Sequence, residues 1–133
     1  MPNHELSMCA YVQLGVLSDR RQQTLARDLF LLLGGVEACR AGWLDVAEAC
    51  RQLILASNPA HQLKRHATLA DALRDNDFQH LVAAGERYCT YEQAEHLLRQ
   101  LGLTPEGDHP ELSRGERMSQ LLAQGHREGR DLS

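Results

Sequence analysis

The sequence predicts an all-α fold: a compact bundle of about six or seven helices around a central helical hairpin. Hydrophobic residues make up 43% of the chain but aromatics only 5%, so Leu and Ala must fill the core. Leu, Ala, Arg, Gln and Glu dominate the long segments while Val, Ile and Thr are sparse, a mixture with high helix propensity and little material for strands. The segment from Asp28 to His61 reads as two antiparallel helices, punctuated at Gly34-Gly35, Gly42 and Asn58-Pro59. At 133 residues one domain suffices. Residues 1–104 are assigned to an all-α domain and 105–133 to a linker, a C-terminal helix and a frayed tail.

The first element spans residues 4–17. Leu6, Ala10, Leu14 and Leu17 give a helical face, which is preferred over the extended alternative offered by Tyr11 to Val16. Asp19 is expected to cap the next helix, where Leu25, Leu29, Leu32, Val36 and Cys39 recur at helical spacing. Within it, Leu29-Phe30-Leu31-Leu32-Leu33 is apolar all round, which requires cover on more than one side, from the monomer or from self-association. Gly42 ends that helix. The following one carries Trp43, Val46, Ala47, Cys50 and Ile54 on one stripe, with Asp45, Glu48 and Gln52 opposite, and Asn58-Pro59 stops it.

Residues 60–67 form a locally basic loop containing His61, Lys64, Arg65 and His66. Thr68 to Asp71 opens a short helix, and Asp75 or Asn76 caps another that presents Phe78, Leu81, Val82 and Gly85. Thr90-Tyr-Glu-Gln93 is a capping box. It opens a helix with Ala94, Leu97, Leu98 and Leu101 on one face, closed by Gly102. Pro105, Gly107 and Pro110 among acidic residues mark a surface excursion. Ser113 restarts a helix whose apolar face is Met118, Leu121 and Leu122, and Gly125 is expected to end it.

Residues 28–61 resemble a single tetratricopeptide unit. Gly35, Gly42, Leu44, Ala47 and Pro59 fall at that family's spacings, whereas Leu31, Gly34, Ala38, Arg51 and Ile54 depart from its preferences. The resemblance implies a scaffold that binds peptides or proteins on a concave helical face. No second unit follows, and such arrays need about three, so the hairpin is read as the packing unit of a bundle.

The net charge of −4 disfavours a dedicated phosphate-binding face, and nucleic acid is an unlikely partner. A helix-turn-helix over Thr68 to Leu103 remains the alternative, although Glu92 and Glu95 on its candidate recognition helix would repel phosphates. Glu92, Glu95 and His96 resemble a zinc-peptidase arrangement with the first ligand replaced; pairing of Glu95 with Arg99 on a solvated face is the plainer reading. A small metal-binding protein using Cys39, Cys50, His61 and His66 is the third reading, but its thiols are too far apart in sequence for a usual zinc site. Cys89, ahead of a helix start, is a candidate for a lowered thiol pKa.

With four Cys lacking close pairs, no signal-like N-terminus and no apolar run of membrane length, the chain is read as cytoplasmic, with reduced thiols and no membrane partner. The expected function is a non-catalytic protein–protein interaction or adaptor module. It needs no cofactor and takes another protein, or a second copy of itself, as partner. If a partner binds the hairpin, Trp43 is the best single anchor, since aromatics dominate interface hot spots, with Lys64 and Arg65 as basic contacts; a core role for Trp43 is the plainer reading.

Overall fold

The computed structural model describes residues 3–106 and 113–131, with side chains through residue 124. Among the described residues all regular structure is helical: α1 (His4–Arg20), α2 (Thr24–Ala41), α3 (Leu44–Ser57), a 3-10 turn (Gln62–Arg65), α4 (Leu69–Ala72), α5 (Asn76–Tyr88), α6 (Tyr91–Gln100) and α7 (Arg114–Asp131). No described helix is long and apolar enough to cross a membrane.

α1 opens at Asn3, whose side-chain oxygen accepts from the Leu6 amide at 3.0 Å, and the ambiguous 4–17 segment is helical throughout. The helix continues past Asp19, which therefore does not cap α2. Gln23 occupies that cap without a side-chain hydrogen bond, after a turn in which Gln22 takes φ 60°. Asp19 instead accepts from Arg27 Nη1 at 3.1 Å, so the guanidinium offsets an acid at the unfavourable end of a helix dipole.

α2 lies at the centre. Its antiparallel pairing with α1 follows from His4 bonding Glu37 at one end and Asp19 bonding Arg27 at the other. Its antiparallel pairing with α3 follows from Gly35 against Cys50 and from Asn58 bonding Asp28. Gly34-Gly35 is thus no turn. A Cβ on Gly34 would stand 3.1 Å from the Val12 amide nitrogen, and one on Gly35 would stand 3.2 Å from the Cys50 Cβ, so the pair lets α1 and α3 approach α2 from two sides. The true turn is at Gly42, where φ is +88°.

Three caps match their sequence signals. Thr68 accepts from the Asp71 amide, Asp75 accepts from the Asp77 amide, and Thr90 and Gln93 make a reciprocal capping box. α5 crosses α2 at Gly85, packed on Leu29 and Leu33. The α5–α6 junction is tied to α1 by the Tyr11 hydroxyl, which donates to the Cys89 carbonyl at 2.7 Å.

α7 docks on α1 and α3. Met118 and Leu122 are fully buried, and Arg117 donates to the Pro105 carbonyl at 2.9 Å and to the Cys9 sulfur. Gly125 was expected to end this helix, but α7 runs on to Asp131. Glycine lowers helix propensity by about 1 kcal/mol without breaking the geometry, and it stops a helix where the chain turns left-handed, as at Gly42 and Gly102.

Candidate interaction groove

The apolar density of α2 is covered unevenly. Leu31, Leu32 and Leu33 are buried, with Leu31 against Gly15 of α1 and Leu33 against Gly85 of α5. One turn earlier, Leu29 and Phe30 are only half-buried, and Leu25, expected on the buried stripe, is 89% exposed. α1 and α3 flank α2 along its length, and α5 reaches it at Leu29 and Leu33, while the outer side of its first turns, at Leu25 and Ala26, is left uncovered.

These residues form one wall of a groove of about 940 Å³, lined on the α2 side by Leu25, Ala26, Leu29 and Phe30. Tyr88, Cys89, Glu92, Gln93, His96 and Leu97 form the other wall. The groove continues into a narrower cleft of about 180 Å³ that shares Phe30 and Leu97 and reaches Leu14, Leu17, Arg21 and Leu101. The exposed side chains that line the groove mix the apolar Leu25 and Tyr88 with the polar Glu92, Gln93 and His96. Tyr88 is 79% exposed, and Leu97 and Leu101, expected to face the core together with Ala94 and Leu98, are 38% and 41% exposed. α6 is short and amphipathic; Ala94 and Leu98 reach the core, and the flank of the same stripe is left to the groove.

Two charges mark the ends. Glu92 stands in the first turn of α6 at the wide end, and Arg21 follows α1 at the narrow end. Both are exposed, and neither makes an ion pair with a described residue. Glu95, by contrast, pairs with Arg99 at 2.5 Å, as the helical spacing suggested.

The thiols are held in their protonated form. Burial pushes Cys89 above the ordinary range, opposite to the lowering that a helix N-terminus was expected to give, because this residue of the groove wall is only 5% exposed. Burial likewise raises Cys9, Cys39 and Cys50; at Cys9 the Arg117 guanidinium opposes the effect. Tyr91 is pushed up to about 12 by burial, then by its hydrogen bond with Glu95.

The residues singled out from sequence lie elsewhere. Trp43 sits at the start of α3, half-buried, with its indole over Gly115 in the space a Cβ would fill, so it clamps α7. Lys64 and Arg65 are exposed on the 3-10 turn after the far end of α3, roughly 20 Å away along that 14-residue helix. The structure does not bring the three together. Nor does it gather Cys39, Cys50, His61 and His66: no group of three or more His, Cys, Asp or Glu among the described residues is placed to hold a metal ion. The groove residues were missed because Leu25, Leu97 and Leu101 carry the same periodicity as their buried neighbours. The usable signal was the all-round apolar run at 29–33.

No protein-family model matches the chain at a significant level, nor does any curated protein or solved structure.

Proposed function

We propose that this protein is a non-catalytic protein-interaction module of the cytoplasm that binds through the α2–α6 groove. The observation that carries the reading is an uncovered apolar wall on the central helix, with Leu25 and Tyr88 standing almost free beside a groove of about 940 Å³. Exposed apolar surface concentrated at one concave place is the usual mark of an association site. Burial raises the thiol pKa of Cys89, the one cysteine among the groove's lining residues, which supports binding over thiol chemistry there.

The test compares wild-type protein with a Leu25→Asp/Leu97→Asp variant as immobilised bait. The wild type is expected to retain one protein at fixed ratio, and the variant to lose it with far-UV circular dichroism unchanged and with the melting temperature unchanged at a concentration low enough to hold both proteins monomeric. Equal retention by both would remove the groove from the interaction. Trp43→Ala separates the two surfaces: lost retention with an unchanged melting temperature would return the anchor to Trp43.

A further inference from the structure

We propose that the occupant of the groove is a second copy of this chain, joined through a twofold, self-complementary interface; this rests on the interaction reading above. The argument begins with what the chain has left to offer. Most apolar side chains of α1, α3, α5 and, through residue 124, α7 pack into the core, with Leu44 of α3 and Tyr88 of α5 left exposed. The segments outside the described residues, 1–2, 107–112 and 132–133, carry Met1, Leu112 and Leu132 as their large apolar side chains. Among the described residues, no amphipathic helix is left free to fill the groove.

The charges then select the partner. One unpaired acid, Glu92, stands at the wide end and one unpaired base, Arg21, at the narrow end, with Phe30 and Leu97 shared by both parts between them. From Glu92 to Leu101 the groove follows α6 for roughly 13 Å. A twofold axis normal to the groove near Phe30 and Leu97 lays the acid end of one copy over the base end of the other, and does so twice. In a twofold interface, residue i meets residue j and j meets i, so a surface with opposite charges at its two ends and an apolar centre complements itself. Leu25, on the rim and 89% exposed, supplies the knob that enters the second copy's groove, and Tyr88 covers it from the opposite rim. Large aromatic side chains in that position are the usual anchors of interfaces.

The test is sedimentation equilibrium of the full chain over a range of concentrations, with three single variants and one mixture. The wild type is expected at twice the chain mass. Leu25→Asp is expected to raise the dimer dissociation constant at least about a hundredfold, and each of Arg21→Glu and Glu92→Arg about tenfold, through like-charge contacts made twice. Mixing Arg21→Glu with Glu92→Arg is expected to restore a mixed dimer to near wild-type affinity, because both contacts across the axis then pair opposite charges. All three positions are exposed, so folding should be unaffected, and circular dichroism verifies it. If Leu25→Asp unfolds, the charge-reversal mixture alone decides.

A monomer at all concentrations would overturn the proposal, as would a dimer indifferent to all three substitutions or single charge variants not rescued by mixing. A monomeric wild type that retains a different protein, lost in Leu25→Asp, would overturn the second-copy assignment while leaving the interaction reading standing. A dimer that Leu25→Asp leaves intact while retention of another protein is lost would have the same effect.

Discussion

The two halves of α2 are alike in sequence and opposite in environment. Residues 31–38 are buried, enclosed by α1, α3, α4 and α5, while residues 25–30 carry comparable apolar density on a face that the monomer leaves open. The later half belongs to the fold, and one face of the earlier half is free for a partner. On its opposite face the earlier half is fixed by charge: Arg27 donates to Asp28 at 3.0 Å and Asp19 at 3.1 Å, and Asp28 reaches Asn58. A well-anchored backbone thus presents an apolar wall, so the helix positions of Leu25 and Phe30 are set before anything binds.

This contrast is sharpest in mutational cost. Leu31→Ala and Leu33→Ala are expected to lower stability by about 2–5 kcal/mol, because each empties a site that the surrounding helices cannot fully collapse. Leu25→Ala, at a protein concentration low enough to hold the chain monomeric, is expected to change it by less than about 0.5 kcal/mol. Urea denaturation of the three variants measures the difference. Equal losses would mean that the two halves of α2 are enclosed alike.

The anchor of the open half is tested next. Asp28→Ala leaves the largely buried Arg27 guanidinium with Asp19 alone and removes the acceptor for Asn58, which should cost on the order of 2–3 kcal/mol. Hydrogen exchange should then rise first in the amides of the initial turns of α2 and the last turn of α3. A uniform rise across the bundle would instead mean that the ion pairs stabilise the fold globally.

A smaller effect is expected at Gly115, far from the groove. Gly115→Ala places a methyl group against the Trp43 indole, and overpacking of this kind costs about 1–3 kcal/mol, offset by about 1 kcal/mol of helix propensity. Trp43→Ala is destabilising by itself, but it removes the obstacle. The double variant should therefore be less destabilised than the sum of the two, a coupling that a thermodynamic cycle reads directly. Strict additivity would place Trp43 outside the α3–α7 contact.

How much of this was legible in the sequence follows from which forces act locally. Helix starts at Thr68, Asp75, Thr90 and Ser113 were readable because a cap is a bond between residues two or three apart. Asp19 was misread because its partner, Arg27, lies across a turn; Gly34-Gly35 falls inside the helical run as its periodicity implied, but its part in the close approach of α1 and α3 needed the third dimension. Gly125 was misread as well, since a helical glycine and a terminating glycine differ only in the conformation their surroundings impose. The groove was hardest to read, because Leu25, Leu29 and Leu97 repeat the core period and only the third dimension shows where cover ends.

The smallest effect is expected from pH, at the foot of the same anchor. His61 follows α3 and has its pKa lowered from the ordinary 6.5, first by burial, against the opposing pull of Asp28. Its Nδ1 also accepts from the Leu63 amide at 3.1 Å, a bond that a protonated ring cannot keep. With the native pKa below the unfolded one, the unfolded chain takes up this proton first as pH falls. The contribution of His61 to stability is therefore fully present above about pH 6.5, and it is lost as pH drops through the lowered native value. His61→Asn keeps an acceptor near the Leu63 amide and removes the titration. Its stability should fall less than that of the wild type between pH 7.5 and 5.5, measured by urea denaturation at each pH. A wild-type curve no steeper than the variant's would mean that His61 is solvated in the native state and that the end of α3 is more open than the ion pairs at Asp28 imply.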